Sequence, residues 1–330
     1  MAGTNSKVNK IAVILGPTAS GKTNLALELA NFANFEIISC DSRQIYKYLN
    51  IGTAKPTIDQ LNQVQHYLID ILNPNEYYSA GNYEKDATEV YFNIIKKGKI
   101  PLLVGGTGLY IKAFIEGLSS DDHNENFNER LDIREDLEKV LEKYGKDFLY
   151  NELRKIDIVA AEKYSDKNPR RVIRALEYYY THNKLFSETF EQNQHPKYEP
   201  MYIGINYFRE DLYKKINLRV EKMWEDGLVD EVKNILELGY SPNLNSLNTV
   251  GYKETISYLE NLISKNDAIE LIKTNTRRYA KRQLTWFRAI PEIVWYKPEN
   301  LNYKKIADSI ILLFVNKIIS IFFTFIRWIF

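Results

Sequence analysis

The chain has 330 residues, of which 45% are hydrophobic and 26% are charged; this length suits roughly two globular domains, and the composition is not that of a disordered chain. Its 44 basic and 43 acidic residues leave a formal net charge of +1, which excludes a protein that binds nucleic acid over its whole surface by charge alone. The single cysteine excludes an internal disulfide and a cysteine-based zinc cluster, and without a recognisable export signal we expect a cytoplasmic protein.

The N-terminal part of the chain has the pattern of a parallel α/β sheet. Residues 11–15 are apolar and β-branched, and GPTASGKT and then apolar residues at helical spacing follow them, which predicts a strand, a loop and a helix. Residues 35–41 and 100–106 are typical of buried parallel strands. Helical patterns lie between and after them, so we predict βαβ units over residues 1–117.

The segment GPTASGKT matches the phosphate-binding pattern G-x-x-x-x-G-K-[ST], in the strand-to-helix context that this pattern requires. Backbone amides of such a loop face a di- or triphosphate, and the helix N-terminus adds partial positive charge. Lys22 would neutralise phosphate oxygens, and Thr23 would hold Mg²⁺. The predicted diphosphate-binding residues are Gly16, Pro17, Thr18, Ala19, Ser20, Gly21, Lys22 and Thr23.

Other parts of an ordinary nucleoside triphosphatase are missing. Residues 100–106 end in two glycines, where such an enzyme carries an aspartate that binds Mg²⁺. An acid instead ends the neighbouring predicted strand, at Asp41, and this is the sheet edge where open α/β folds bind ligands. From the residues alone, Asp41 is either a catalytic carboxylate or the cap of a turn.

The middle of the chain changes character. Residues 119–130 are polar and acidic, and residues 131–182 are almost continuously helical in period, which predicts an inserted helical domain. Residues 199–207 look like a returning strand that closes the sheet, and residues 209–239 like one amphipathic helix ending at Gly239. We therefore predict a core of residues 1–117 and 196–310 around an insertion at 118–195.

The last residues, 311–330, form a hydrophobic tail of atypical composition. Its length approaches the roughly 20 residues that cross a bilayer. Lys317 and Arg327 interrupt it, and each would cost about 2.5–3.5 kcal/mol at a membrane centre. Membrane contact by residues 310–330 is therefore the less favoured interpretation. The favoured ones are a terminal helix packed on the protein and an atypical extension that is partly disordered.

Seven segments, in chain order, resemble the tRNA dimethylallyltransferase (isopentenyl-tRNA transferase) family. They are DSRQIYKYLNIGTAKP, HYLIDILNPNEYYSAGNY, PLLVGGTGLYIKAFIEGL, NPRRVIRALE, LRVEKMWEDGLVDEV, VGYKE and AKRQLTWFR. The resemblance covers residues 11 to about 296. It implies a fold with a P-loop NTPase-like parallel sheet and an inserted all-helical domain. It also implies transfer of a dimethylallyl group from its diphosphate to the exocyclic amine of the adenosine 3′-adjacent to the tRNA anticodon, giving N6-isopentenyladenosine and diphosphate.

The resemblance implies roles for particular residues. Asp41 would be the general base, Arg219 and Lys22 would stabilise the leaving diphosphate, and Thr107 would contact the tRNA near the reacting base, although the residues alone leave a helix cap open for Thr107. The implied tRNA-binding residues are Asp41, Ser42, Arg43, Gln44, Thr107, Arg134, Lys167, Asn168, Pro169, Arg170 and Arg171. The implied substrates are dimethylallyl diphosphate and a tRNA anticodon stem-loop, with Mg²⁺ as cofactor, and we expect a monomer.

Two alternatives remain from the residues themselves. A small-molecule kinase or NTPase would share the phosphate-binding loop and would consume ATP. A noncatalytic RNA-binding protein would use the basic, acid-free segment 271–290 for contacts with the RNA backbone, and it would bind tRNA without modifying it.

Overall fold

The computed structural model describes residues 8–117, 127–190 and 196–315. The chain divides into two compact units. One unit is Met1–Ile115 with Lys197–Phe330, and the other is Glu116–Pro196.

A single parallel sheet of six strands organises the first unit, in the order β3-β2-β4-β1-β5-β6. Its strands are β1 (Asn9–Leu15), β2 (Phe35–Cys40), β3 (His66–Tyr67), β4 (Ile100–Gly105), β5 (Tyr198–Ile205) and β6 (Val294–Tyr296). The predicted α/β class with a parallel sheet is confirmed. The prediction that β5 closes the sheet is wrong, because β6 pairs with β5 and forms that edge.

The register of the central strands places three chain segments side by side. Leu15 of β1 pairs with Gly105 of β4, and Cys40 of β2 pairs with the same Gly105. The residues that follow β1, β2 and β4 therefore emerge together at the carboxyl edge of the sheet, which is where parallel α/β sheets bind their ligands.

Both faces of the sheet are buried. Ile11, Val13 and Leu15 belong to the core on one face, and Ala12 and Ile14 belong to the core on the other, as the alternation of side chains along a strand requires. The helices around the sheet are α1 (Lys22–Leu29), α2 (Ile58–Gln63), α3 (Ala80–Lys96), α4 (Gly108–Glu116), α8 (Arg209–Glu225), α9 (Leu228–Glu237), α10 (Tyr252–Leu259) and α11 (Lys265–Phe287).

The single helix predicted over residues 209–239 is wrong in one respect. Gly227 has φ 99° and ψ 31°, a left-handed conformation, and it separates α8 from α9. Glycine adopts this conformation at little cost, so the chain can turn there while the apolar periodicity continues on both sides. Periodicity alone therefore merged two helices into one.

The second unit is helical. It contains α5 (Phe127–Ile156), which is interrupted at Gly145, followed by α6 (Ile158–Lys163) and α7 (Pro169–His182). Its core includes the buried side chains of Leu149, Leu153, Val172 and Leu176. Of the polar stretch predicted at 119–130, residues 119–126 lie outside the described residues.

The C-terminal segment is helical from residue 303 to residue 315. Ile306, Ala307 and Ile310 are buried in the core on one face of the sheet, so this part of the segment packs on the protein. Most of the predicted hydrophobic tail, residues 316–330, lies outside the described residues. Within the described ranges, no helix is both long enough and apolar enough to cross a membrane.

Candidate active site

The phosphate-binding loop connects β1 to α1. A Cβ on Gly16 would lie 2.6 Å from the Ile205 carbonyl oxygen, so only glycine fits this close approach to β5. Gly21 has φ 87° and directly precedes α1, which begins at Lys22. The loop therefore has the backbone conformation that its sequence pattern predicts.

Positive charge in this loop is not neutralised by the protein. The Lys22 ammonium donates a hydrogen bond to the Pro17 carbonyl oxygen at 2.7 Å. Among the described residues it forms no salt bridge. The pKa of Lys22 is lowered to about 8, first by burial and then by the nearby Arg219 guanidinium, while Asp41 opposes the shift. Burial also lowers the pKa of Arg219, and Asp41 again opposes the shift. An anion bound here would relieve this unfavourable desolvation.

Ser20 is a second sign of a missing ligand. Its side chain is 2% exposed, and its hydroxyl has no hydrogen-bond partner in the described part of the chain. Buried polar groups are usually satisfied, so an orphaned hydroxyl inside a phosphate-binding loop points to a bound oxygen-rich group.

Asp41 follows β2 at the carboxyl edge of the sheet. Its Oδ1 accepts hydrogen bonds from the backbone amides of Arg43, at 2.9 Å, and Gln44, at 3.4 Å. Asp41 thus caps a turn, as one of the two readings of the sequence predicts. Its other oxygen, Oδ2, accepts no hydrogen bond from the described residues, and the side chain lines a cavity that Lys22 and Arg219 also line. The capping role therefore leaves one carboxylate oxygen available to a ligand.

Thr107 connects two loops at this edge. Its hydroxyl oxygen accepts a hydrogen bond from the Ser42 amide at 3.1 Å, and its own amide donates to the Cys40 carbonyl oxygen at 3.2 Å. The Tyr110 amide in α4 donates to the Thr107 carbonyl oxygen at 3.0 Å. Thr107 therefore lies at the start of α4 and beside the loop that carries Asp41.

Two functional residues of α11 are absent from the sequence predictions. Gln283, which is 7% exposed, accepts a hydrogen bond from the Thr18 amide at 2.8 Å and donates one to the Gly106 carbonyl oxygen at 2.9 Å. It ties the phosphate-binding loop to the end of β4. Tyr279 interacts with Asp41 and Thr107, and burial and the Asp41 charge raise the pKa of its phenol, which stays protonated at neutral pH.

The signal for these two residues is weak in the sequence. Their spacing of four residues puts them on one face of α11, but Gln and Tyr at helical spacing fit any half-buried helix. The contact with the phosphate-binding loop spans 265 residues of sequence, and no local pattern announces it.

The cavity has a volume of about 1050 Å³ and combines two kinds of surface. Charged and polar groups of the phosphate-binding loop, Asp41 and α8 form one side. The apolar side chains of Ile51, Leu61, Val104 and Met223 also line it. The segment at Ile51 is held in place by Glu231, whose carboxylate accepts hydrogen bonds from the Asn50 amide at 3.0 Å and the Ile51 amide at 2.8 Å. The cavity therefore suits a ligand with an anionic head and a short apolar tail.

The predicted tRNA contacts of the first unit are engaged within the protein. The Arg43 guanidinium donates to the Asn245 carbonyl oxygen at 2.7 Å. The side-chain amide of Gln44 donates to the carbonyl oxygens of Thr53 and Ala54, at 3.2 and 3.3 Å. Ser42 contributes its backbone amide to Thr107. These residues lie at the edge of the sheet that carries Asp41, and their tRNA contacts stay a prediction.

In the helical unit, most of the predicted contacts also have a structural partner. Asn168 caps α7, its Oδ1 accepting a hydrogen bond from the Arg170 amide at 3.1 Å, and Pro169 begins that helix. Lys167 pairs with Asp147 at 2.7 Å, and Arg171 with Asp166 at 3.3 Å.

Arg134 and Arg170 of the same unit differ in whether a carboxylate pairs with them. The Arg134 guanidinium lies 2.7 Å from the buried Glu177 carboxylate. Arg170 is exposed and forms no ion pair with any described residue. Arg134 therefore has a structural role that the sequence did not predict, and the tRNA contact of Arg170 stays a prediction.

Comparisons with known proteins agree on one family. The family described as IPP transferase matches residues 44–290. The chain is 42% identical over 307 residues to the tRNA dimethylallyltransferase of Thermoanaerobacter pseudethanolicus, covering 92% of this chain and 96% of that protein. It is similar to the crystal structure of the full-length tRNA isopentenylpyrophosphate transferase from Bacillus halodurans, with 37% identity, a TM-score of 0.67 and coverage of 94% and 97%. It is also similar to a eukaryotic dimethylallyltransferase acting on tRNA, with 31% identity, a TM-score of 0.75 and coverage of 88% and 74%.

Proposed function

The chain belongs to the tRNA dimethylallyltransferase family, and from this premise we propose how its own residues carry out the reaction. It is a transferase that prenylates the adenosine 3′-adjacent to the tRNA anticodon. The observation that carries the residue roles is the cavity, in which an unneutralised phosphate-binding loop, an apolar wall and the Asp41 carboxylate occur together.

We assign the diphosphate of the prenyl donor to the phosphate-binding loop. When the allylic C–O bond breaks, the bonding electrons leave with the diphosphate, and the carbon skeleton becomes an allylic cation stabilised by its own π system. Lys22, Arg219 and the backbone amides at the end of the loop, from Gly21 to Thr23, would stabilise the charge that grows on the leaving group. Electrostatic stabilisation of this kind is often the largest catalytic contribution.

A bound Mg²⁺ is part of this proposal. The described residues contain no group of three or more His, Cys, Asp or Glu side chains that could hold a metal ion. Mg²⁺ needs no such group, since it often binds through one or two protein oxygens, substrate phosphates and water. The Thr23 side chain lines the cavity at the start of α1 and would supply that protein oxygen. When bound, the ion would neutralise charge on the departing diphosphate.

We assign the adenosine to the part of the cavity that Asp41 lines, beside the loop to which Thr107 is hydrogen-bonded. The exocyclic amine is a weak nucleophile because its lone pair is delocalised into the ring. Oδ2 of Asp41 would accept a proton from this amine as the new C–N bond forms, and the Thr107 hydroxyl would help to orient it. The base must leave its stack to reach this position.

We further propose that the helical unit binds tRNA through Lys167 to Arg171, with Arg170 contacting a phosphate. Contacts of this kind position an RNA without reading its sequence. We expect the enzyme to act as a monomer in the cytoplasm, where its single cysteine meets a reducing environment.

One assay tests the proposed function against both alternatives. The protein is incubated with Mg²⁺, dimethylallyl diphosphate and unmodified tRNA, and the tRNA nucleosides are analysed by mass spectrometry. We expect a five-carbon addition on one adenosine. ATP turnover without this product would indicate a kinase or NTPase, and tRNA binding without product would indicate a noncatalytic protein.

A further inference from the structure

Glu231 of α9 is an acidic side chain that holds the backbone of a loop distant in sequence. Its carboxylate is partly buried and accepts hydrogen bonds from the backbone amides of Asn50 at 3.0 Å, Ile51 at 2.8 Å and Gly52 at 3.3 Å. The Tyr252 hydroxyl donates a further hydrogen bond to it at 2.6 Å. Hydrogen bonds to a charged acceptor are about twice as strong as neutral ones. The loop at residues 50–52 is therefore firmly attached to α9.

Tyr252, at the start of α10, is the second support of this loop. Its side chain is fully buried, and a Cβ on Gly52 would lie 2.4 Å from its Cε2, so the loop backbone rests directly on the ring. Burial and the Glu231 charge raise the pKa of Tyr252, so the phenol stays protonated and donates to the carboxylate. The ring and the carboxylate together fix the position of the loop.

The supported loop forms part of the wall of the candidate active site. Asn50, Ile51 and Thr53 line the cavity, and Ile51 contributes apolar surface to it. Neither Glu231 nor Tyr252 is among the described residues that line this cavity. These two side chains can therefore act on a bound ligand only through the loop that they support.

We propose that Glu231 is a positioning residue for the prenyl tail of the donor. The inference rests on the proposed function, which places the diphosphate on the phosphate-binding loop and leaves the five-carbon tail for the apolar surface. Glu231 fixes the backbone at Ile51, so that the Ile51 side chain packs against the tail. The head and the tail of the donor are then recognised by two separately supported loops.

The negative charge of Glu231 gives the proposal a definite sign. A carboxylate near an anion site weakens anion binding by Coulomb repulsion, so removal of the charge would by itself lower the KM for the donor. Loss of positioning acts in the opposite direction. Glu231→Gln replaces one acceptor oxygen by an NH₂ group, which cannot accept hydrogen bonds from the loop amides, and so releases the loop. A rise in KM therefore reports positioning and not charge.

The test compares the whole donor with its head alone. Glu231→Gln should raise the KM for dimethylallyl diphosphate about tenfold, the effect of exposing about two methylene-sized groups of the tail. The Kd for inorganic diphosphate, measured by calorimetry with Mg²⁺, should not rise, because the head is held by the phosphate-binding loop. The kcat at saturating donor and the KM for tRNA should stay within about twofold of wild type. The matched control is Glu237→Gln at an exposed site of α9, which should change none of these values.

A double-mutant cycle shows whether Glu231 acts through Ile51. Ile51→Ala removes the apolar contact itself and should also raise the KM for dimethylallyl diphosphate without raising the Kd for inorganic diphosphate. If Glu231 acts through Ile51, the KM of the double variant should rise by less than the product of the two single effects. Gly52→Ala displaces the loop from the Tyr252 ring while Glu231 is unchanged, and it should give the same pattern as Glu231→Gln.

An unchanged or lower KM for dimethylallyl diphosphate in Glu231→Gln would overturn the proposal, and so would independent effects of Glu231→Gln and Ile51→Ala. An equal rise in the Kd for inorganic diphosphate would also overturn it, as Glu231 would then support the whole site. Gly52→Ala decides by the same criteria where Glu231→Gln does not fold. Failure of the proposed function is distinguishable, because the wild-type protein would then form no isopentenyladenosine at all.

Discussion

Two clusters of cations, one in each unit of this protein, are arranged in opposite ways. In the helical unit, Arg134 and Arg174 both pair with Glu177, each at 2.7 Å, and Glu177 is buried. In the cavity of the first unit, Lys22 and Arg219 are partly buried but form no salt bridge with any described residue. The first arrangement neutralises its charge internally and stabilises a fold. The second leaves its charge for a ligand to neutralise.

The difference shows why residue type alone does not identify a binding site. An arginine in a helix can belong to the RNA interface or to the core, and only the position of the carboxylates distinguishes the two. The following experiments test whether the charges of the cavity act on a ligand and those paired with Glu177 act on stability.

The largest effect is expected at the carboxylate of the cavity. Asp41→Asn preserves an oxygen that can accept the turn hydrogen bonds from Arg43 and Gln44, but it removes the base. We expect kcat to fall by about 10²- to 10⁴-fold, the usual contribution of general-base catalysis. Filter binding should show tRNA affinity close to that of the wild type. A rate within twofold of wild type would show that Asp41 is not the base.

In the helical unit, the ion pairs of Glu177 are expected to affect stability and not catalysis. Glu177→Gln would remove the buried carboxylate that the partly exposed Arg134 and Arg174 share, and we expect a loss of about 2 kcal/mol in the free energy of unfolding, because charge-assisted hydrogen bonds are lost. Urea denaturation monitored by circular dichroism would measure it. The matched control is Asp136→Asn, which breaks the exposed pair with Lys139 and should change stability by less than about 0.5 kcal/mol. An equal loss of unfolding free energy in the two variants would show that the ion pairs of Glu177 stabilise the fold no more than an exposed pair does.

The lowered pKa of Lys22 makes diphosphate binding depend on pH. With its pKa lowered to about 8, Lys22 is charged below that pH and becomes neutral above it in the free protein, so binding an anion at higher pH must first restore the proton. Affinity for inorganic diphosphate, measured by calorimetry with Mg²⁺, should fall about tenfold from pH 7 to pH 9. Lys22→Arg keeps its charge over this range and should remove the decrease that is due to residue 22. The same decrease in both proteins would place the titrating group elsewhere.

The smallest effect is expected for Gln283, which is neutral and acts through the loop. Gln283→Leu removes the hydrogen bonds to Thr18 and Gly106, and we expect the KM for dimethylallyl diphosphate to rise about fivefold, equivalent to about 1 kcal/mol. Gln283→Glu keeps the acceptor for the Thr18 amide but loses the donor to Gly106. It also puts a negative charge in the cavity, which repels the diphosphate, so its KM should rise more than that of Gln283→Leu. A KM for tRNA that rises by the same factor would show that Gln283 does not act specifically on the phosphate-binding loop.

The parts of the fold that could be predicted depend on local signals. The phosphate-binding loop, the helix α1 and the strands β1, β2, β4 and β5 each have a pattern within a few residues of sequence. Strands β3 and β6 contain two and three residues, which is too short for a periodic pattern. Gly227 was visible in the sequence, but a single glycine does not by itself end a helix.

The residues of the candidate site also fall into those that a local sequence pattern predicts and those that it does not. Lys22, Thr23 and Asp41 could be placed because each follows a recognisable strand or belongs to a motif. Gln283 and Tyr279 could not, since their contacts depend on how α11 packs against the sheet. The pairing of Arg134 with Glu177 was equally hidden, because it joins two helices whose relative position no local pattern fixes.

The most direct test of the central claim is a structure of the protein with an anticodon stem-loop and an unreactive analogue of dimethylallyl diphosphate. The measurement is the distance from the Asp41 carboxylate to the exocyclic amine of the flipped adenosine. We expect about 2.6–3.2 Å, or one bridging water, with the diphosphate on the loop amides beside Lys22. A carboxylate beyond the reach of a bridging water, or a diphosphate bound away from the loop, would contradict the account.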